Sequence, residues 1–270
     1  MEFTIPLVPE GDNAEFRLRD EYEGQSQRQN ILDYGSSLNV QGNLVEVVHG
    51  TMSPGGDPAS LIITEFRFST LAPPRRFRQA QLTFRFEYPD SKDATPPAVM
   101  KIAPEGFYAM NRTERTQEVN RGANISLGAN AGLAANASFA FKWGLVETKK
   151  RVDEATLTGI KTVLDRGVPP PNAARWSMAE SKNDRYGVPS YLQLVTLVKR
   201  TSNKKFRGWF DVTSRVDYRY DMEKRRGGID PITFDPELPP QKGLEGIDAN
   251  NLGQVDLTQF MLIQSGPLSI

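Results

Sequence analysis

Hydrophobic and small or polar positions alternate most clearly from Ala123 to Trp143. The odd positions are Ala123, Ile125, Leu127, Ala129, Ala131, Leu133, Ala135, Ala137, Phe139, Phe141 and Trp143. The even positions are Asn124, Ser126, Gly128, Asn130, Gly132, Ala134, Asn136, Ser138, Ala140 and Lys142. Successive strand side chains point to opposite faces, so the segment predicts one apolar face and one small, mostly polar face. The same period recurs at Ala80, Leu82, Phe84, Phe86 and Tyr88, against Gln79, Gln81, Thr83, Arg85 and Glu87. It recurs again over Phe206–Tyr220, where Gly208, Phe210, Val212, Val216, Tyr218 and Tyr220 oppose Arg207, Asp211, Thr213, Arg215, Asp217 and Arg219.

Other strands are expected at Leu38–His49, Leu61–Phe68, Ala98–Ala103, Ala155–Val163 and Ala174–Glu180. Tyr191–Lys199 is apolar on both faces, as a central strand would be. Loops dense in breakers separate them, at Thr51–Pro58, Ala72–Arg76 and Asp165–Pro171. Arg112–Asn120 carries charge without an apolar face and reads as an exposed crossover. Arg28–Tyr34 and Asp256–Ile263 are the few places with helical spacing. After Arg226 the chain turns proline-rich, with Asp230-Pro-Ile-Thr-Phe-Asp-Pro236 and Leu238-Pro-Pro240. Proline removes a ladder donor, so this tail should drape over the body rather than enter a sheet centre.

The expected fold is therefore all-β, a two-layer antiparallel β-sandwich with an extended C-terminal wrap. Residues 1–228 would form the body, with an internal division near 104–120, and 229–270 the wrap. Trp176, Leu194, Phe210 and Tyr218 sit on the apolar faces of the most regular strands and should be core residues.

At 270 residues the chain can bury a sizeable core without staples. Composition removes much familiar chemistry. There is no cysteine, hence no disulfide, thiolate nucleophile, iron–sulfur cluster or sulfur-ligated zinc. His49 is the single histidine, so no multi-histidine metal site exists. Neither a cofactor nor a metal is expected. Lys+Arg and Asp+Glu are 33 each, which argues against a nucleic-acid partner, because such affinity rests on phosphate neutralisation. The first residues carry an early acid and no long apolar run, so no signal peptide is expected and the chain reads as cytoplasmic. No stretch approaches the ~18 apolar residues of a spanning helix.

No phosphate-binding loop, dinucleotide fingerprint, nucleophile elbow or calcium loop is present. A serine triad would have to use His49, which closes the strand Val45-Glu-Val-Val-His49 and reads as a hydrogen-bonded strand-end residue. Asp211 and Asp217 lie on a face that alternates acid with arginine, which suits ion pairing better than acid–base catalysis. Asp230 and Asp235 bracket a proline loop, where Asp commonly holds turns. The basic clusters Arg75-Arg76-Phe77-Arg78, Lys149–Arg151, Lys204–Arg207 and Lys224–Arg226 flank strands and suit edge protection.

Segment 123–143 admits two readings. Unbroken it would span ~70 Å at ~3.3 Å per residue, too long for one strand of a compact domain. A turn near Asn130-Ala131-Gly132 would divide it into two arms of about the 9–11 residues of a membrane strand. In pattern this resembles the inserting hairpins of β-pore-forming toxins. Against insertion, alanine offers little apolar area to lipid, and Phe139, Phe141 and Trp143 cluster at one end. The segment is therefore expected to stay in the soluble body, turning or bending near Gly128–Gly132, with a membrane partner possible but not favoured.

The second half is also similar to uncharacterised β-rich proteins of filamentous fungi, through Asn172-Ala-Ala-Arg-Trp176, Gly187-Val-Pro189, Leu194–Arg200 and the strand Phe206–Tyr220. The resemblance implies a role in secondary metabolism or self/non-self defence and assigns no site. The expected function is a metal-free binding or interaction module for a hydrophobic small molecule or a protein partner. Phe84, Phe86, Tyr88, Phe139, Phe141 and Trp143 would line its ligand site. The alternatives are a cofactor-independent cyclase or isomerase that shapes its substrate in an aromatic cavity, and a β-pore-forming protein using hairpin 123–143.

Overall fold

A computed structural model of the chain describes residues 25–35, 38–70, 77–89, 95–123, 143–165, 167–180, 188–215, 230–240 and 242–264. The strands are β1 (Asn30–Gly35), β2 (Leu38–Thr51), β3 (Pro58–Thr70), β4 (Gln79–Glu87), β5 (Ala98–Ala103), β6 (Gly106–Ala123), β7 (Trp143–Thr162), β8 (Ala173–Ala179), β9 (Tyr191–Lys199), β10 (Phe206–Arg215), β11 (Ile232–Phe234) and β12 (Leu262–Gln264). One sheet has the order β1-β2-β3-β9-β12, with β5 also paired to β9; the other runs β11-β10-β4-β8-β7-β6. Every pairing is antiparallel.

The alternation of β4 explains the second sheet. Ala80, Leu82, Phe84 and Phe86 are buried in the core between the sheets, while Gln79 is exposed. Phe84 stacks on Phe210 of β10, with ring centroids 3.8 Å apart, and Phe206 stacks on Phe234 of β11 at 5.0 Å. Gly208 faces this cluster because a Cβ there would come within 2.5 Å of the Phe84 ring and 2.8 Å of Phe234. Trp176 of β8 is fully buried, and its indole N–H donates to the Pro104 carbonyl at 2.9 Å. Leu194 and Phe210 are core residues as expected; Tyr218 lies outside the described residues.

The first sheet is apolar on both faces at β3 and β9. Its inner face meets the second sheet through Ile62, Phe66, Leu192 and Leu194. Its outer face gathers Val48, Leu61, Ile63, Val195 and Leu197 into a separate cluster with Leu252, Val255 and Leu257 of the tail. Two short 3-10 turns, Ala249–Gln254 and Leu257–Phe260, form this strap, each opened by an Asp (Asp248, Asp256) that accepts from a backbone N–H two residues on. Thus the tail drapes, as its prolines imply, and also adds edge strands to both sheets.

Two readings of the sequence are corrected. Asn30–Gly35 is a strand paired to β2, not a helical turn, because Asn39–Asn43 of β2 offer a ladder partner that local spacing cannot reveal. Arg112–Asn120 is not a crossover but the middle of the 18-residue β6, held by main-chain pairing to β7.

Candidate functional site

Phe84 and Phe86 sit in the packed interior at 1% and 0% exposure. Phe210, Phe206 and Phe234 surround them. An aromatic cavity at this place would require those rings to move apart. Tyr88, half-buried, holds the loop after β9: its hydroxyl accepts from the Thr201 backbone N–H at 3.1 Å. Phe139 and Phe141 lie outside the described residues. Trp143 opens β7 directly opposite Ala123; its side chain is outside the described ones.

His49 lies at the junction of β2, β3 and the segment around β11. Its Nδ1 is 2.8 Å from Ser60 Oγ and its Nε2 is 2.8 Å from the Gln27 amide nitrogen. Burial foremost, then the Arg200 guanidinium, lowers its pKa to about 4, against the pull of Asp235. The pair superficially matches a serine and its base. Ser60, however, is fully buried, so its hydroxyl has no substrate to attack. Asp235 is tied into its turn, accepting from the Glu237 N–H at 3.1 Å and pairing with Lys205 at 2.9 Å. Among the described residues no three His, Asp or Glu side chains converge as a metal site.

The outer face of the second sheet is an ion-paired surface. Arg85 lies 5.7 Å over the Trp209 ring and pairs with Glu87 and Asp165. The Trp209 N–H donates to Glu87 at 2.6 Å. These groups satisfy one another.

The hairpin of β6 and β7 has different geometry. Its ladder runs from Gly106↔Gly159 to Ala123↔Trp143. β8 pairs with β7 only from Thr156 to Thr162. From Ala155 to Trp143, on the order of 40 Å of strand, β7 has β6 as its only ladder partner among the described residues. Among the described residues β6 is the edge strand of its sheet. A register shift sets two residues, Asn111 and Arg112, against the single Glu154 where β7 parts from β8. Bulges bend a strand and increase its twist at such points.

Along this two-stranded stretch Arg115 stands opposite Arg151, with Thr116 and Gln117 opposite Lys150 and Lys149. Nothing in the composition of 112–120 announced a strand: it has no apolar face, and only pairing makes it one. The alternating stretch 123–143 begins and ends on the last pair of this ladder. Residues 124–142, with the expected turn, lie outside the described residues.

No helix among the described residues is long and apolar enough to cross a membrane, which says nothing of strands. No protein family matches the chain, and no curated protein matches it. It is similar to a solved structure, the Clostridium perfringens NetB toxin in the membrane-inserted form, over 71% of this chain and 85% of that one. At 8% identity and a TM-score of 0.27, that likeness carries no argument for this chain.

Proposed function

We propose that this β-sandwich protein acts on lipid bilayers, using the β6–β7 hairpin and its continuation through 124–142 as a membrane-entering element. The observation that carries the reading is the register. Ala123 and Trp143 are paired at the end of a ladder that continues past the last β7–β8 pair. On this proposal segment 123–143 continues the two-stranded ribbon beyond that pair. Its sequence supplies what a bilayer asks of a strand pair: an apolar face, an opposite small and polar face, and about 9–11 residues in each arm.

In hydrocarbon every backbone polar group needs a partner, so one hairpin with two open edges cannot span alone. The open edge of β6 and the open side of β7 before Thr156 would pair between neighbouring copies, closing a barrel. The charged stretch 112–120 with 147–154 would remain in water between bilayer and sandwich. The binding-module reading has less support, since Phe84 and Phe86, two of its lining residues, are occupied in the core.

The experiment is dye release from phosphatidylcholine–phosphatidylserine liposomes, comparing the full chain with a variant in which 124–142 is replaced by a short Gly-Ser turn. The full chain should release dye and the variant should not, with its fold preserved by circular dichroism. Equal release by both, or none by the full chain, would remove the reading.

A further inference from the structure

We propose that His49 is an acid-opened latch that holds segment 25–29 against strand β11, which is itself fixed to β10: uptake of a proton by its imidazole breaks its contact with Gln27 and frees segment 25–29. The inference concerns the sandwich and stands whether or not the hairpin enters lipid.

The geometry is a clip of short contacts. Gln27 N–H donates to the Thr233 carbonyl at 2.7 Å, and the Arg28 guanidinium donates to the Asp230 carbonyl at 3.0 Å. The Gln27 side-chain nitrogen lies 3.4 Å from the Asp235 carbonyl as well as 2.8 Å from His49 Nε2. A carbonyl can only accept, so the nitrogen end of the amide faces both groups. His49 Nε2 must then be the acceptor, and its Nδ1–H donates to Ser60 Oγ. Gln27 is a non-glycine residue with φ of 53°, in the left-handed region. Such a backbone persists where its surroundings hold it. The Phe206 ring closes the site edge-on at 6.3 Å.

A proton on Nε2 would set an N–H against the Gln27 N–H. It would also place a cation beside the buried Arg200, which donates to the Ala59 carbonyl, the Ser202 carbonyl and Asn203 Oδ1. The Asp235 carboxylate favours that cation, but Lys205 already pairs with it. The charged groups facing the imidazole are therefore Arg200, which opposes protonation, and Asp235 with its Lys205 partner, which offsets it in part. The imidazole is held near 4 in the fold against an ordinary 6.5. An unfolded or detached chain therefore takes up the proton first. The latch is closed above about pH 6.5 and weakens as the pH falls from there toward 4.

The test is hydrogen exchange read by mass spectrometry, corrected for the intrinsic pH dependence of exchange, on the full chain and on His49→Gln. Protection at 25–29, where the Gln27 N–H donates to Thr233, should fall at least tenfold between pH 7 and 5 in the natural chain and stay flat in the variant, while 230–235, paired to β10, keeps its protection in both. Because His49 is the only imidazole, its single set of NMR signals titrates without ambiguity, and serves if the variant does not fold. A midpoint near 4 with exchange rising at 25–29 supports the latch. A midpoint near 6.5, unchanged protection, or the same loss in both proteins overturns it.

Discussion

The rings of Phe84 and Phe210 lie 3.8 Å apart between centroids with planes 18° from parallel, joining β4 to β10 across a pair in direct register. Phe210 also meets Phe66 of the opposite sheet at 5.6 Å. One side chain thus ties two neighbouring strands of one layer to the other layer. Phe210→Ala should cost roughly 3–5 kcal/mol, since the rings around it are fixed and cannot collapse into the gap. Urea denaturation measures this. A loss below about 1 kcal/mol would mean that the sandwich interior is not packed as described.

The tail is fastened at a buried acid. Glu46, fully buried in β2, accepts from the Lys242 N–H at 2.9 Å and the Leu244 N–H at 3.4 Å, and from its neighbour Val47 at 3.0 Å. Glu46→Gln replaces one accepting oxygen by a donor that faces donors. It should destabilise the fold by about 2 kcal/mol, the order of one charge-assisted hydrogen bond. The backbone packs as tightly four residues on along β2: a Cβ on Gly50 would stand 1.8 Å from the Ala249 carbonyl oxygen. Gly50→Ala should therefore lift the strap, and limited proteolysis should cut within 242–264 of that variant well before the natural chain. Matching cleavage rates would show that the strap is not seated on β2.

The legible and illegible parts of the fold divide along physical lines. β4 and β10 declare themselves because each buries one face, so Leu82 and Phe84 alternate with Gln81 and Thr83. β9 is legible as a central strand because Leu194, Val195 and Leu197 fill both faces. The partner on its outer side was legible only in part: Asp256–Ile263 shows helical spacing and holds the turn Leu257–Phe260, whereas Leu252, in a six-residue 3-10 turn, and Val255, between the turns, have no period to read. The middle of β6 was hidden because 112–120 alternates no apolar face, while its pairing to β7 is a long-range relation that local spacing does not reveal. His49 was legible as a strand-end residue, whereas Gln27, more than twenty positions away, carries no sequence signal of its contact.

The central claim is that segment 123–143 enters lipid, and site-specific labelling measures this most directly. A cysteine-free chain allows Ala129→Cys, on the apolar face, and Ser138→Cys, on the polar one, each labelled with an environment-sensitive dye. Adding phosphatidylcholine–phosphatidylserine liposomes should shift the emission at 129 to the blue, leave 138 nearly unchanged, and release entrapped dye over the same time course. Unshifted emission at 129 from liposome-bound protein, or a shift without release, would contradict the account.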